Sequence, residues 1–521
     1  MKPSVLVRRV RLVDLDGDRA GPAGAAPAGG AASASAAAGA AAETNVLIEG
    51  GVITAVGPDV RAPAGAEVVD AGGRPAIPGL WDAHVHASQW VRTARMVPLG
   101  HAQRAEDVLT AIVAALGSLP PDRTVLGFGY RSAGWPRPGT VAELDAVSAG
   151  RAVALVSGDA HNGWLNSRAL ELLGAPARTG PVSENEWFDL LRRLGELPGA
   201  APAPSDFVTP LAGLAAIGVT GLVDFEFDNT FLDWPARVAA GADSVRVRTG
   251  VYPHQLETVI EAGLRTGDAL AGGAGLVTMG QLKIISDGSL GSRTAWTHAP
   301  YSDGPASPEH PCGQANYSSV ELCDLLVRAR DAGLEVALHA IGDRANSVAI
   351  DAFAATGAHG SIEHAQLIAP PDVRRLAVLG VRASVQPAHL LDDRDLTDRV
   401  WGARAAMAFP LRGMLSAGVD LRLGSDAPVA PLDPWLAMAA AVQRSGDERP
   451  AWHEEQSITP REALAASVDG RRLTPGAPGD LVLLDHAPPA ATEDPRQAAE
   501  TLRRTRAALT ICAGRITHHA L

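Results

Sequence analysis

Eight short β-rich runs, each ending in polar or ionisable residues, alternate with Ala/Leu/Arg/Glu-rich helical stretches, at 75–84, 219–224, 245–252, 281–287, 334–339, 361–364, 381–386 and 421–426. Strand and helix in alternation is the pattern of parallel βα units, because two parallel neighbours need a crossover between them. Eight such units close on themselves, so the expected fold is α/β, a (β/α)8 TIM-like barrel. The gap between the first two runs, about 100–205, is too long for one crossover helix. It predicts an inserted subdomain, with 124–130, 152–157 and 184–194 as its elements.

The two ends of the chain have a different texture. Strand-like runs at 4–7 and 45–53, the latter turning at Gly50-Gly51, are matched by runs at 480–485 and 508–516. They predict a small β-sandwich domain built from both termini, 1–75 with 468–521, around a barrel at 76–467. Residues 20–42 are only Ala, Gly, Pro and Ser. Such a segment buries too little to offset its ordering entropy and is expected to be a flexible insertion.

Val7-Arg8-Arg9-Val10-Arg11-Leu12 has the outline of a twin-arginine signal, but Asp14, Asp16 and Asp18 interrupt what should be an apolar region, so it reads as a first strand. No run of eighteen apolar residues occurs, and no membrane-spanning helix is expected. Lys and Arg number 45 against 58 Asp and Glu, a formal charge of −13, with no basic patch. That balance argues against nucleic acid as a partner. The cysteines are three, without paired spacing, which suggests neither a disulfide framework nor a thiolate zinc site. A reducing, cytoplasmic setting is the expectation.

His84 and His86 stand two apart at the end of the first run, and the two-residue period of a strand points both imidazoles to one face. In a barrel that face is the interior at its C-terminal mouth. Alone, a His-x-His pair reads equally well as two surface histidines on an edge strand. His339, His364 and Asp426 also end predicted strands, and Lys283 lies in the fourth. Imidazole and carboxylate suit zinc and its first-row neighbours.

Pro78-Gly79-Leu80-Trp81-Asp82-Ala83-His84-Val85-His86 resembles the opening signature of the amidohydrolase superfamily of metal-dependent hydrolases. Asp287-Gly288-Ser289-Leu290-Gly291-Ser292-Arg293, His339-Ala340-Ile341-Gly342-Asp343, Ile362-Glu363-His364-Ala365 and Gly424-Ser425-Asp426-Ala427-Pro428 resemble, more narrowly, its third amidohydrolase family, which includes N-substituted formamide deformylases. The resemblance runs over 46–516. It implies one or two zinc ions: His84 and His86 on one metal, His339 and His364 on the second, and Asp426 touching the first and moving the proton as the catalytic residue. Lys283 matches the position of a lysine carbamylated by CO2 that bridges two metals. The alternative reading of Lys283 is a structural cation paired with Asp287 or another carboxylate.

The implied reaction is attack of a metal-activated hydroxide on the C–N bond of an amide, formamide or carbamate-like small molecule. Aminohydrolases of the superfamily often carry Glu three residues after the fifth-strand His, where this chain has Gly342, which disfavours deamination. An aminohydrolase stays the alternative, with a non-catalytic binding protein that keeps the barrel as the reading from another class. His161, in the inserted segment, together with Arg293, Trp296, Gln386 and His389, is expected to meet the substrate. Asp343 and Glu363 are expected to orient the ligands. A small-molecule substrate is the expected partner, with no nucleic acid or membrane, and a homodimer is one assembly the chain leaves open.

Overall fold

In the computed structural model, which describes residues 4–16, 42–132, 135–158, 162–227, 230–305 and 308–521, the eight runs form eight parallel strands. They are Leu80–Val85, Val219–Asp224, Arg246–Val251, Val277–Ile285, Val336–Ala340, Gly360–His364, Arg382–Val385 and Leu421–Leu423, each paired with the next in chain order. The first and last meet where Val85 bridges Ala427, the His86 N–H donates to the Ala427 carbonyl at 2.9 Å and the Asp426 N–H to the His84 carbonyl at 2.7 Å. The barrel is thus nearly closed.

Strands buried on both faces are almost continuously aliphatic. Leu282, Ile284, Val336, Leu338 and Ile362 are all fully buried. Against that background the buried polar side chains stand out: His84, Lys283 and Glu363. Parallel pairing carries every strand's C-terminal end to the same mouth. The register sets His339 beside Glu363 and Ala340 beside His364.

The flanking strands make a separate eight-stranded sheet, ordered Arg515–His519, Ala507–Cys512, Leu481–Leu484, Pro75–Pro78, Val5–Leu12, Thr44–Glu49 and Val52–Gly57, with Glu67–Asp70 beside Val5–Leu12. One core joins Val5, Val7, Ile48 and Ile53 to Leu481, Leu483, Leu509 and Ile511. Ionic and aromatic contacts, beside a small apolar cluster of Leu276, Cys512 and Ala513, link it to the barrel. Arg246 pairs with Asp480 at 2.8 Å, Arg248 with Asp469 at 2.9 Å, and the guanidinium groups of Arg248 and Arg471 lie 5.0 and 4.6 Å from the Trp81 ring. The insertion expected over 20–42 lies, but for Ala42, outside the described residues.

Residues Ala87–Pro210 form a second compact unit. Its five-stranded sheet runs Val182–Ser183, Asn162–Leu165, Val153–Ser157, Val125–Tyr130 and Val97–Pro98. Two fully buried tryptophans fill its core, each over a glycine: a Cβ at Gly139 would stand 2.3 Å from Trp164, and one at Gly163 2.1 Å from Trp187. Among the described residues, no helix is long and apolar enough to cross a membrane.

Candidate active site

His84 is the fifth residue of the first barrel strand and His86 follows its end, so the strand's two-residue period sends both rings the same way. Across the closing seam, Asp426 follows the last strand with φ at 56°, a left-handed conformation uncommon for a side-chain-bearing residue. His84 Nε2 and His86 Nε2 approach its Oδ1 at 3.5 and 3.2 Å. The ligand-capable atoms of His84, His86 and Asp426 lie within 4.8 Å of one another, as do those of a second group, His364, His389 and Asp426.

Hydrogen bonding and burial decide whether these groups suit a cation. His84 Nδ1 donates to Glu363 Oε2 at 2.8 Å, which leaves Nε2 as the acceptor facing Asp426. Burial pushes the Asp426 carboxyl up, but His84, a hydrogen bond from His86 and the nearby His364 together hold it well below the usual range. Burial, then Lys283, brings His339 down to about 3. Burial, then His339, holds His364 well below the ordinary imidazole range. The lowered His339 and His364 imidazoles and the ionised Asp426 carboxylate are donors of the kind a divalent metal requires, so these residues fit such an ion.

Lys283 is buried in the fourth strand with Nζ 3.5 Å from His84 Nε2 and 4.8 Å from the Phe225 ring. Burial lowers its amine to about 8, against the pull of Glu363 and Asp426. Asp287, read from sequence as an alternative partner, is engaged elsewhere. It accepts the N–H groups of Trp296, Gly342 and Ile341 at 2.8, 2.9 and 3.1 Å. His339 Nε2 lies 3.4 Å from Asp287 Oδ1 and 3.2 Å from the Gly288 carbonyl, with its ring 4.5 Å from that of His364.

The residues expected to meet substrate are distributed differently. His389 stands at the metal-capable cluster, Nε2 3.9 Å from Asp426 Oδ2 and 3.3 Å from the Ser425 carbonyl. Gln386 is buried and donates to the Ser384 carbonyl at 3.3 Å. Arg293 pairs with Asp303 at 2.7 Å, and Trp296 lies under the Arg344 guanidinium at 4.4 Å. His161 lies outside the described residues. Of the two expected orienting carboxylates, Glu363 holds His84, whereas Asp343 accepts the His298 N–H at 2.9 Å.

Sequence reasoning passed over three residues. Asp82 Oδ1 accepts the N–H groups of His84 and Ser425 at 3.1 and 2.9 Å, tying the first strand to the last. Phe225 sets its ring edge-on to His84 at 4.8 Å, and Phe227 stacks on His86 at 5.3 Å. Their signal was a second period-two pair, Phe225-Glu226-Phe227, after the neighbouring strand.

The profile of the amidohydrolase family matches residues 67–518. The chain is 28% identical over 474 residues to protein LONG AFTER FAR-RED 3 of Arabidopsis thaliana, covering 81% of this chain and 79% of that one. It is 26% identical over 509 residues to N-substituted formamide deformylase of Arthrobacter pascens, covering 85% and 90%. A crystal structure described as an uncharacterized metal-dependent hydrolase from Pyrococcus horikoshii OT3 shares the fold with a TM-score of 0.76 at 24% identity, over 96% of this chain and 99% of that one. With a match that takes in the barrel, its insertion and much of the flanking sheet, the chain belongs to the amidohydrolase family.

Proposed function

We propose that the chain is a divalent-metal-dependent hydrolase that cleaves the C–N bond of an amide, formamide or carbamate-like small molecule. The observation that carries this reading is the convergence of His84 Nε2 and His86 Nε2 on Asp426 Oδ1, at 3.5 and 3.2 Å, at the seam of a parallel barrel. His84, His86 and Asp426 would hold one ion, with His339, His364 and a CO2-modified Lys283 as donors for a second. Zinc suits these ligands. Such an ion, when bound, polarises a carbonyl oxygen and brings the pKa of water down to ~7.

The protein's own residues do the rest. Glu363 keeps the His84 proton on Nδ1, so that Nε2 stays a ligand. Asp426, held ionised by its neighbours, accepts a proton from the attacking water and returns it to the leaving nitrogen. Gly342 favours this chemistry over deamination: a Cβ there would stand 2.0 Å from the Trp296 carbonyl oxygen, so no carboxylate fits three residues after His339. The likeness to a formamide deformylase makes N-substituted formamides the first substrates to try.

The test is metal analysis of the purified protein together with a panel of N-substituted formamides, amides and carbamates, read by amine release. One to two equivalents of divalent metal and turnover that chelation abolishes are expected. Full hydrolytic activity without metal would overturn the reading, as would a loaded protein that only deaminates heterocycles.

A further inference from the structure

A histidine that binds a metal through one ring nitrogen almost always donates its other N–H to a carboxylate, carbonyl or water, which fixes the ring. His84 obeys this rule through Glu363, 2.8 Å away. His86 does not. Its Nε2 faces Asp426 at 3.2 Å, and its Nδ1 is buried with no hydrogen-bond partner among the described residues. With a metal on Nε2 in place of the contact to Asp426, something other than a hydrogen bond must hold that ring.

The neighbouring strand supplies it. Past Val219–Asp224 the chain continues along the first strand, the Phe225 N–H donating to the Val85 carbonyl at 2.7 Å. Phe225-Glu226-Phe227 therefore runs beside His84-Val85-His86 with the same two-residue period. Phe225 packs edge-on to His84. Phe227 lies nearly parallel to His86, the planes 17° apart and the centroids 5.3 Å apart. Phe227 is in turn stacked on Tyr252 at 5.2 Å, and the buried Tyr252 hydroxyl is anchored on the Phe225 carbonyl at 2.7 Å. Phe227 itself is 47% exposed.

We infer that Phe227 is the positioning residue of His86: its flat face, backed by Tyr252, replaces the missing hydrogen bond and sets the angle at which His86 presents Nε2 to the metal. The inference rests on the metal centre proposed above. It makes His86 the ligand held by stacking and His84 the one held by charge. What matters at 227 is then a planar ring, not apolar bulk.

The experiment compares Phe227→Leu and Phe227→Met, which keep apolar volume without a ring, with Phe227→Tyr and Phe227→Trp, which keep the plane. Affinity for Zn2+ is measured by competition with a chromophoric chelator, and the Co2+-loaded proteins are compared by visible absorption. F227L and F227M should bind metal about 10-fold to 100-fold more weakly, the range for loss of a ligand's orienting partner, with altered Co2+ bands. F227Y and F227W should match the wild type, and the metal-free proteins should share one melting temperature. Wild-type affinity and an unchanged Co2+ spectrum in F227L and F227M would overturn the inference alone. A wild-type chain that takes up no stoichiometric metal would overturn the metal centre with it.

Discussion

His84 donates from Nδ1 to Glu363 Oε2 across 2.8 Å, with both side chains enclosed in the barrel and Ser361 donating to the other carboxylate oxygen at 2.5 Å. An ionised carboxylate in a dry interior is costly unless its oxygens are satisfied, and here both are. Replacing the charge should therefore loosen the histidine rather than merely remove a contact. Glu363→Gln is expected to weaken metal binding about 10-fold to 100-fold, checked by chelator competition. Unaltered affinity would mean that the pair is structural only.

Asp426 is assigned the proton transfer. An amide in its place cannot accept the water proton, so Asp426→Asn should lower kcat about 10²-fold to 10⁴-fold at saturating metal. The measurement is turnover at several metal concentrations. Turnover near wild type would refute the role.

Lys283 sits buried against His84 with no carboxylate hydrogen-bonded to its amine among the described residues. If CO2 modifies it, chelated enzyme should need bicarbonate together with metal to recover, and Lys283→Ala should lose one equivalent of metal. A short carboxylic acid should then restore part of the activity. Intact-mass analysis of active, metal-loaded protein showing an unmodified lysine would remove the carbamate from the account.

Asp469 joins the barrel to the segment that leads back to the flanking sheet. Burial raises its carboxyl, but Arg248, Arg422 and Arg471 outweigh that and hold it below the usual range. A depressed carboxyl stabilises the fold above its unfolded pKa of ~3.9 and loses that contribution as pH falls through the folded value. Asp469→Asn should thus cost about 1–3 kcal/mol at pH 7 and pH 5, with the gap narrowing below about pH 4. Urea unfolding of metal-free protein at each pH checks this, and a gap independent of pH would contradict it.

The barrel was legible because its strands are buried on both faces, so each appears as a short aliphatic run whose ionisable end marks the mouth. Less of the candidate site could be read. Asp82 ties His84 to Ser425, which lies 343 residues further along, and no local pattern announces a partner so distant. Arg293 follows the fourth strand in sequence, yet its guanidinium is committed to Asp303 through a loop conformation that periodicity does not encode. His389, expected to touch substrate, stands with His364 and Asp426 in a metal-capable group. Which of those roles it fills depends on ring direction rather than on spacing.

The strand Leu481–Leu484 lies between Pro75–Pro78 and Ala507–Cys512, with Leu481 opposite Pro78. During synthesis the edge offered by Pro75–Pro78 therefore waits until the whole barrel has left the ribosome before its neighbour arrives. An unpaired edge with Ala76 and Ile77 uncovered is a surface on which nascent chains associate. The last strands thus act as a late clasp, and messages truncated before codon 481 should give aggregates rather than a smaller working enzyme.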